Sequence, residues 1–396
     1  MKVGIFLGGI PPKDGGEHSY EQELLVSFLT VSHESRHEYV ILSPNDISGL
    51  SRDQHYDDSS NLLIPRESKL SCLLNYFFSG PFFFKLARKT SGLNRIIKKN
   101  KIDFIVFLSR APEAPECPFI TPLWDLQHRL QPWFPEVREN GVWEWRERLY
   151  LDILKKATFI ITGTAEGQEE ISCFYGISKN RIKILPLPTP DFCLTSTKER
   201  DRGDIQKFSI HGDYLLYPAQ FWSHKNHINC IYALKILHQQ YNLPLSLVFV
   251  GSDKGNLSYV QKSAYDQGLI PFVQYLGFVT QKDLIALYQN ATALIFPTFF
   301  GPDNLPPLEA FALKCPVIAS NVPGAYEQLD DAALLFDPKS PEDIAKAIVT
   351  LTDNPKLRSE LIEKGFQRAI RWTGEHYFRE IFSLLDDFES IRRCWE

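Results

Sequence analysis

Short apolar runs rich in β-branched residues recur along the chain and alternate with longer helical patterns. In the first half they are Lys2–Leu7, Tyr39–Ser43, Ile102–Leu108, Phe119–Leu123, Thr158–Thr162 and Ile182–Leu185. In the second half they are Tyr214–Tyr217, Ser246–Val250, Val273–Leu276, Ala293–Phe296, Val317–Ala319 and Ala333–Phe336. This alternation is typical of βαβ units and parallel sheets. It predicts an α/β fold with two Rossmann-like, doubly wound parallel-sheet domains.

The segment LPLPTPDFCLTSTKERDRGD separates the two sets of runs and is rich in proline and charge. Such a composition without periodicity is typical of a linker. We predict a first domain over residues 1–190, a linker over 191–212, a second domain over 213–371, and a C-terminal helix over 372–396 that crosses back to the first domain. Two such domains face each other across a cleft at the carboxyl ends of their strands, where these sheets bind ligands.

Size and composition narrow the class of protein. The chain has 396 residues, more than one hydrophobic core usually supports, and a net charge of -5 without the basic excess of a nucleic-acid binder. Its seven cysteines include no CxxC pair, which favours a reducing compartment. Glycines and prolines interrupt the apolar N-terminus, and no apolar run approaches the roughly 20 residues of a membrane-spanning helix. We therefore expect a cytoplasmic protein.

Two loops have the features of phosphate sites. Gly8-Gly9 and Gly15-Gly16 follow the first strand and precede a helical pattern, which suits backbone N–H groups that approach a phosphate, although a plain glycine turn explains them equally well. In the second half Lys225 comes just before a helix for which Asn226 is the predicted N-cap. Its ammonium and the helix dipole could bind one anion. The alternative is a solvated lysine at a helix start.

The stretch FFGPDNLPPLEAFALKCPVIAS contains a third candidate site. Glu309 is predicted to open a helix behind Pro306-Pro307. Its carboxylate could accept hydrogen bonds from two neighbouring ribose hydroxyls, or merely complement the helix N-terminus. Because the sequence has no DxD motif and no His/Asp/Glu cluster with metal-ligand spacing, we predict no metal site.

Taken together, these motifs resemble one family. The segments GGEHSYEQELL, WDLQHRLQPWFPE, ATFIITGTAEGQEEI, FWSHKNH, VFVGS, VQYLGFV and FPTFFGPDNLPPLEAFALKCPVIAS are similar to those of retaining GT-B glycosyltransferases of family 4, in a branch with an FGPxNxPPLEA turn. The resemblance covers nearly the whole chain. It implies a nucleoside diphosphate sugar as co-substrate, GDP- or UDP-linked, and no separate cofactor.

The resemblance also implies roles for individual residues. It assigns Glu309 to the ribose, and the backbone from Gly301 to Leu305, with Asp303 and Asn304, to the donor sugar and diphosphate. The family's two glutamates eight positions apart correspond to Gly301 and Glu309, so the first is absent. Its Arg-and-Lys pair corresponds to Gln220 and Lys225, and its His-Asp pair to Trp124 and Asp125. Gly15 and Gly16 would lie near the donor.

Further acids and a histidine are weaker candidates. Asp303 could contact the sugar hydroxyls in place of the missing glutamate, or be a solvent-facing turn residue. His128 could reach the acceptor or the donor sugar, or lie on a helix surface. Glu327 could line the cleft. We expect Lys225, Asp125, Asp303 and His128 to form the catalytic group.

The implied activity is metal-independent transfer of a sugar, a hexose such as mannose, to a glycan or lipid-linked acceptor. A nucleotide-sugar epimerase or phosphorylase on the same fold, or an inert nucleotide-sugar-binding module, are the alternatives. Residues 74–101 combine clustered aromatics with basic residues and contain no acid. They suit peripheral contact with an anionic membrane, unless the aromatics belong to the core and the lysines are simply solvated.

Overall fold

The computed structural model describes residues 1–10, 16–44, 61–63, 91–196, 202–210 and 212–395. Within these ranges the strands form two parallel sheets, one in each half of the chain. The predicted architecture of two Rossmann-like domains is confirmed.

The first sheet has the strand order β3-β2-β1-β4-β5-β6-β7. Its strands are β1 (Lys2–Phe6), β2 (Glu38–Ser43), β3 (Asn61–Leu63), β4 (Phe104–Phe107), β5 (Phe119–Pro122), β6 (Phe159–Thr162) and β7 (Ile182–Ile184). All six predicted runs are strands of this sheet. The additional strand, β3, was not predicted because it has only three residues and pairs on one side, at the sheet edge.

The second sheet has the order β10-β9-β8-β11-β12-β13. Its strands are β8 (Tyr214–Pro218), β9 (Ser246–Val250), β10 (Val273–Tyr275), β11 (Ala293–Phe296), β12 (Val317–Ser320) and β13 (Ala333–Phe336). Every residue of β9, β11 and β12 is buried. Parallel strands covered on both faces are apolar throughout, which is why the sequence located all six.

Several predicted strands extend one residue too far. Leu7, Leu108 and Leu123 are buried but follow the ends of β1, β4 and β5. Their side chains stay in the core, and the N–H of each still donates to a carbonyl oxygen of a neighbouring strand. The apolar pattern therefore locates the buried positions, and only the assigned strand ends differ by one residue.

Helices cover both sheets. Those of the first domain are α1 (Gly16–Val31), α2 (Gly92–Asn100), α3 (Gln127–Leu130), α4 (Pro135–Arg138), α5 (Val142–Ile153) and α6 (Ala165–Tyr175). After α7 (Asp191–Leu194) come α8 (His227–Gln240), α9 (Leu257–Asp266), α10 (Gln281–Asn290), α11 (Leu305–Ala312), α12 (Ala325–Leu329), α13 (Pro341–Thr352), α14 (Pro355–Arg371) and α15 (Gly374–Arg392).

The segment predicted as the linker is partly structured. It contains α7 and a 3-10 helix over Arg202–Phe208, and Cys193 and Ile205 are buried in the core of the second domain. The exact domain boundaries stay a prediction.

The last helix packs on the first domain. The ring of Phe378 in α15 lies 5.3 Å from that of Phe28 in α1, and Phe382 lies 6.5 Å from the same ring. At the start of α15, a Cβ on Gly374 would lie 1.9 Å from Ser27 Oγ, so only glycine permits this approach. The chain thus ends on the domain in which it began.

The aromatic and basic segment 74–101 lies outside the described residues up to position 90. In the remainder, Leu93 and Ile97 of α2 are buried, whereas Arg95, Lys98 and Lys99 are exposed. In the part of the chain that the structure describes, no helix has both the length and the apolar character needed to cross a bilayer.

We expect Phe378→Ala to lower the free energy of unfolding by about 3–5 kcal/mol, because its side chain is 0% exposed and its removal leaves a cavity between α1 and α15. Ile391→Ala on the same helix is the control: that side chain is 55% exposed, and its loss should cost no more than about 0.5 kcal/mol. Urea unfolding followed by circular dichroism measures both. Equal losses would contradict the packing role of Phe378.

Candidate active site

Among the described residues, two sizeable cavities lie between the domains, at the carboxyl ends of strands from both sheets. The larger cavity has a volume of about 640 Å³ and is lined by Leu130, Gln131, Trp133, Phe134, Glu166 and Glu170 from the first domain and by residues 299–302, 321–323 and 337–339 from the second. The smaller cavity, of about 370 Å³, is lined by Glu17, Arg110, Asp125, Arg146, Trp222 and His224 among others. Each draws on both domains.

Lys225 lies in the 3-10 turn that precedes α8. Its Nζ is 5.4 Å from the centroid of the Phe296 ring, and among the described residues no carboxylate comes within ion-pair distance of it. Burial lowers the pKa of Lys225 to about 8, although the charges of Asp125 and Glu136 act in the opposite direction. Lys225 lines neither cavity itself, but its neighbours Trp222 and His224 line the smaller one, so this partly desolvated cation lies beside that cavity.

Asp125 lines the smaller cavity and is held in one orientation. Its Oδ1 accepts hydrogen bonds from the backbone N–H of Gln127 at 2.9 Å and from Arg146 Nη2 at 2.5 Å. Burial would raise the pKa of Asp125, but the Arg146 guanidinium and these hydrogen bonds outweigh burial and lower the pKa. Asp125 is therefore an ionised carboxylate that faces the same region as Lys225.

Glu136 of α4 joins this region from across the cleft, and the sequence analysis did not single it out. Its Oε1 accepts a hydrogen bond from the backbone N–H of His224 at 3.0 Å and lies 2.5 Å from His224 Nδ1. His224 is 88 positions away in the sequence. No local pattern could have identified the pair.

Two neighbours of Lys225 form contacts within the second domain. The Gln220 side chain donates to Ser252 Oγ at 3.2 Å and accepts from Trp222 Nε1 at 3.0 Å. Asn226 occupies the predicted N-cap position of α8, but its backbone is left-handed, with φ 58°, and its side chain forms no capping hydrogen bond. It donates instead to the carbonyl oxygens of Pro297 and Pro338, which ties together the loops after β8, β11 and β13.

His128 is not in the site. Its side chain is fully buried, and Nε2 lies 2.7 Å from Glu147 Oε1, which also accepts from Tyr175. Burial lowers the pKa of His128 to about 4, so the ring is neutral at physiological pH. The helix presents this face to the core of the first domain, and the catalytic role of His128 stays a prediction.

Of the two glycines predicted near the donor, Gly15 lies outside the described residues. Gly16 is the first residue of α1 and is exposed, and a Cβ there would meet no atom within 4 Å. Its position permits an approach by a ligand but does not require glycine.

Hydrogen bonds that involve side chains hold the turn from Gly301 to Leu305 in place. Gly301 has φ 128°, and a Cβ there would lie 2.7 Å from Asn304 Oδ1. Asn304 Nδ2 donates to the Gly301 carbonyl at 2.7 Å, and the Asn304 N–H donates to Gln328 Oε1 at 3.1 Å. Gly301 faces the larger cavity, and Leu305 begins α11. The Asn304 N–H, which was predicted to bind the donor, is already hydrogen-bonded to Gln328.

Asp303 points into the junction between the domains. Its Oδ2 accepts from the backbone N–H of Leu187 at 2.7 Å, and its Oδ1 accepts from Gln328 Nε2. Burial raises the pKa of Asp303 to about 7. It lines neither of these two cavities, and its carboxylate joins the domains. Its contact with the donor sugar stays a prediction that requires the domains to separate.

Glu309 does not open its helix but lies in the second turn of α11. Its Oε2 accepts from the Tyr288 hydroxyl at 2.7 Å, and it borders a crevice of only about 10 Å³ with Tyr20 and Glu23 of α1. Burial, assisted by the charge of Glu23, raises the pKa of Glu309 to about 7. That crevice has no room for a ribose, so the ribose assignment stays a prediction that requires the domains to separate.

Glu327 of α12 also bridges the domains rather than lining a cavity. Its carboxylate accepts from the backbone N–H groups of Ala165 at 2.6 Å and Glu166 at 3.1 Å, at the start of α6. An acid at a helix N-terminus is favourable. The structure therefore brings Lys225 and Asp125 to one region and directs Asp303, Glu309 and His128 elsewhere.

Comparison with known proteins agrees with this geometry. Residues 203–368 match the family model described as glycosyl transferases group 1. The whole chain superposes on the lipopolysaccharide glycosyltransferase WaaG with a TM-score of 0.68 at 17% identity, covering 96% of this chain and 99% of that one. The chain has the GT-B fold, and its second half is similar to the glycosyl transferases group 1. A second GT-B structure, Anabaena HepE in complex with UDP and glucose, gives a TM-score of 0.67 at 15% identity over 98% of this chain and 99% of its own.

The relatives found by sequence align with a smaller share of the chain than these structures do. The O-antigen chain mannosyltransferase B of Escherichia coli is 24% identical over 61% of this chain and 64% of its own length. The O-antigen chain mannosyltransferase RfbU of Salmonella typhimurium is 26% identical over 51% of this chain and 53% of its own. The chain thus matches less than two thirds of the length of these curated relatives.

The burial of Lys225 should lower the free energy of unfolding of this GT-B protein. Its pKa of about 8 lies below the roughly 10.4 of an unfolded lysine, so between these values the unfolded state binds more protons and stability rises with pH. Below pH 8 the folded protein bears the whole loss of stability that comes from burying this charge. We expect Lys225→Met to resist urea better than wild type at pH 7, with an advantage that shrinks as the pH rises toward 10.5.

The control is Lys282→Met, which removes an exposed lysine of α10 and should give no pH-dependent difference. Urea midpoints at pH 7, 8.5 and 10 measure the trend. A Lys225→Met variant that is less stable than wild type at every pH would contradict the desolvated state of this ammonium.

Proposed function

We propose that the chain transfers a sugar from a nucleoside diphosphate sugar to an acceptor hydroxyl, with retention of configuration and without a metal ion. The observation that carries the proposal is Lys225, a half-buried cation near the cavity between two GT-B domains. The O-antigen mannosyltransferases among the relatives support a hexose such as mannose as the transferred sugar.

The leaving diphosphate is the group that Lys225 suits. Lys225 comes two residues before α8, whose N-terminus adds a partial positive charge at the same place. Preorganised charge in a site with little water stabilises negative charge that develops in the transition state. Both sources of charge belong to the domain that matches the group 1 family model.

Asp125 is placed to orient substrates. The ion pair with Arg146 keeps its carboxylate ionised and fixed, so it can accept a hydrogen bond from a sugar hydroxyl. The acceptor hydroxyl attacks the anomeric carbon on the face that the nucleotide leaves, and the departing phosphate takes the proton. Such a mechanism requires no enzyme nucleophile.

Activity is expected to persist in excess EDTA, because a lysine and a helix N-terminus supply the positive charge. Lys225→Ala should lower turnover by about a hundredfold or more, as is typical for one charge-stabilising group. Incubation with a panel of GDP- and UDP-linked sugars, followed by mass spectrometry of the products, identifies donor and reaction. Complete dependence on added Mg²⁺ or Mn²⁺ would contradict this account.

A lipid-linked acceptor would be reached by peripheral contact with an anionic membrane through residues 74–101. The exposed lysines and arginine of α2 lie at the end of that segment. Flotation with liposomes that contain about 30% anionic lipid should carry the protein upward, since each basic residue near such a surface contributes ~1 kcal/mol. Equal flotation with neutral liposomes would contradict the electrostatic contact.

A further inference from the structure

The larger cavity is lined by neither Lys225 nor Asp125, the two residues on which the donor chemistry proposed above depends. It measures about 640 Å³, within the usual range of roughly 300–1,000 Å³ for small-molecule sites. The segment between Gln131 and Glu136 lies beside both cavities: its start lines the larger one, and Glu136 lines the smaller one. The larger cavity is therefore adjacent to the candidate active site but distinct from it.

Aromatic rings from both domains form one wall of this cavity. Phe134 stacks on Phe299 across the cleft, with ring centroids 6.0 Å apart and planes 28° from parallel. Trp133, also on the wall, is 63% exposed. A large aromatic ring that stays accessible beside a cavity offers a flat surface for the C–H face of a ligand.

Hydrogen-bond acceptors contribute to the polar part of the lining. Glu166 and Glu170 project from α6, and Gln131 has a buried Oε1 without a described hydrogen-bond partner, although its Nε2 donates to the Phe299 carbonyl at 2.9 Å. Burial, together with the charges of Glu166 and Asp125, raises the pKa of Glu170 to about 7. These groups accept hydrogen bonds from hydroxyls.

The charge of the lining disfavours an anion. Three carboxylates line the cavity, those of Glu166, Glu170 and Asp337, and Lys339 is the one cation among its lining residues. A nucleotide diphosphate would meet an excess of negative charge here. A neutral ligand with many hydroxyls and apolar ring faces fits both the acids and the aromatic wall.

We propose that the larger cavity binds a neutral oligosaccharide segment of the acceptor, with Trp133 stacking on a sugar ring and Glu170 accepting from its hydroxyls. The proposal rests on the glycosyltransferase function proposed above. The units bound there lie beyond the sugar that reacts, so the cavity selects acceptors by their chain rather than by their terminal hydroxyl alone.

Binding of α-linked mannotriose, maltotriose and an N-acetylglucosamine trimer to the full chain, measured by saturation-transfer NMR and calorimetry, tests the proposal. At least one of them is expected to bind wild type, and Trp133→Ala and Glu170→Gln should each raise its Kd about three- to tenfold, the scale of one lost stacking or hydrogen-bonding contact. The matched controls are Tyr265→Ala, an exposed aromatic of α9, and Glu169→Gln, an exposed neighbour on α6 that pairs with Lys179. Both should leave that Kd unchanged.

Free GDP and UDP are titrated in parallel. Lys225→Ala should weaken nucleotide binding and leave the trisaccharide Kd unchanged. Failure of wild type to bind either nucleotide would count against the proposed function, whereas the trisaccharide result concerns the cavity alone. A cation is the alternative ligand for a cavity lined by aromatic rings and acids, and tetramethylammonium is the probe for it. The proposal is overturned if no trisaccharide binds, if Trp133→Ala and Glu170→Gln bind the trisaccharide as tightly as wild type does, or if tetramethylammonium binds in the cavity in place of sugars.

Discussion

A positive charge partly withdrawn from water determines the character of the interdomain cleft. Lys225 lies against the ring of Phe296 at the start of α8, and burial reduces its pKa to about 8. An ammonium in such a place destabilises the folded chain unless a ligand supplies the opposite charge. Such a destabilising lysine is expected in a site that binds an anion, because residues placed for function are often not those that maximise stability. The nearest opposing charges, Asp125 and Glu136, come from the other domain.

Three carboxylates hold the two domains together around this charge. Glu136 accepts from the N–H of His224, Asp303 from the N–H of Leu187, and Glu327 from the N–H groups of Ala165 and Glu166. Hydrogen bonds from N–H groups to a carboxylate are stronger than those between neutral groups. Each carboxylate belongs to one domain and each amide to the other, so the contacts exist only when the cleft is closed. Separation of the domains would release all three acids.

The sequence predicts the framework of this protein better than the orientation of its side chains. Buried parallel strands are apolar along their whole length, and their pattern located them without tertiary information. Lys225 could be predicted because its place after the first strand of a Rossmann-like domain determines its surroundings. The orientations of His128, Asp303 and Glu309 could not be predicted. Their hydrogen-bond partners Glu147, Leu187 and Tyr288 lie 19, 116 and 21 positions away in the sequence. The sequence identified the chemistry of these side chains but not the direction in which the fold points them.

The absence of a glutamate at position 301 follows from the local backbone. With φ 128°, position 301 favours glycine, and a Cβ there would lie 2.7 Å from Asn304 Oδ1, so any other residue would displace the Asn304 side chain. Asp303 cannot substitute in this arrangement, because its carboxylate is bound to Leu187 and Gln328. The acids that remain beside Gly301 in the larger cavity are Glu166, Glu170 and Asp337. Asp337 belongs to the same domain as this turn, whereas Glu166 and Glu170 belong to the first domain, so a saccharide held at the turn would meet those two only after the domains close. Complete recognition of the sugar would then require closure of the cleft.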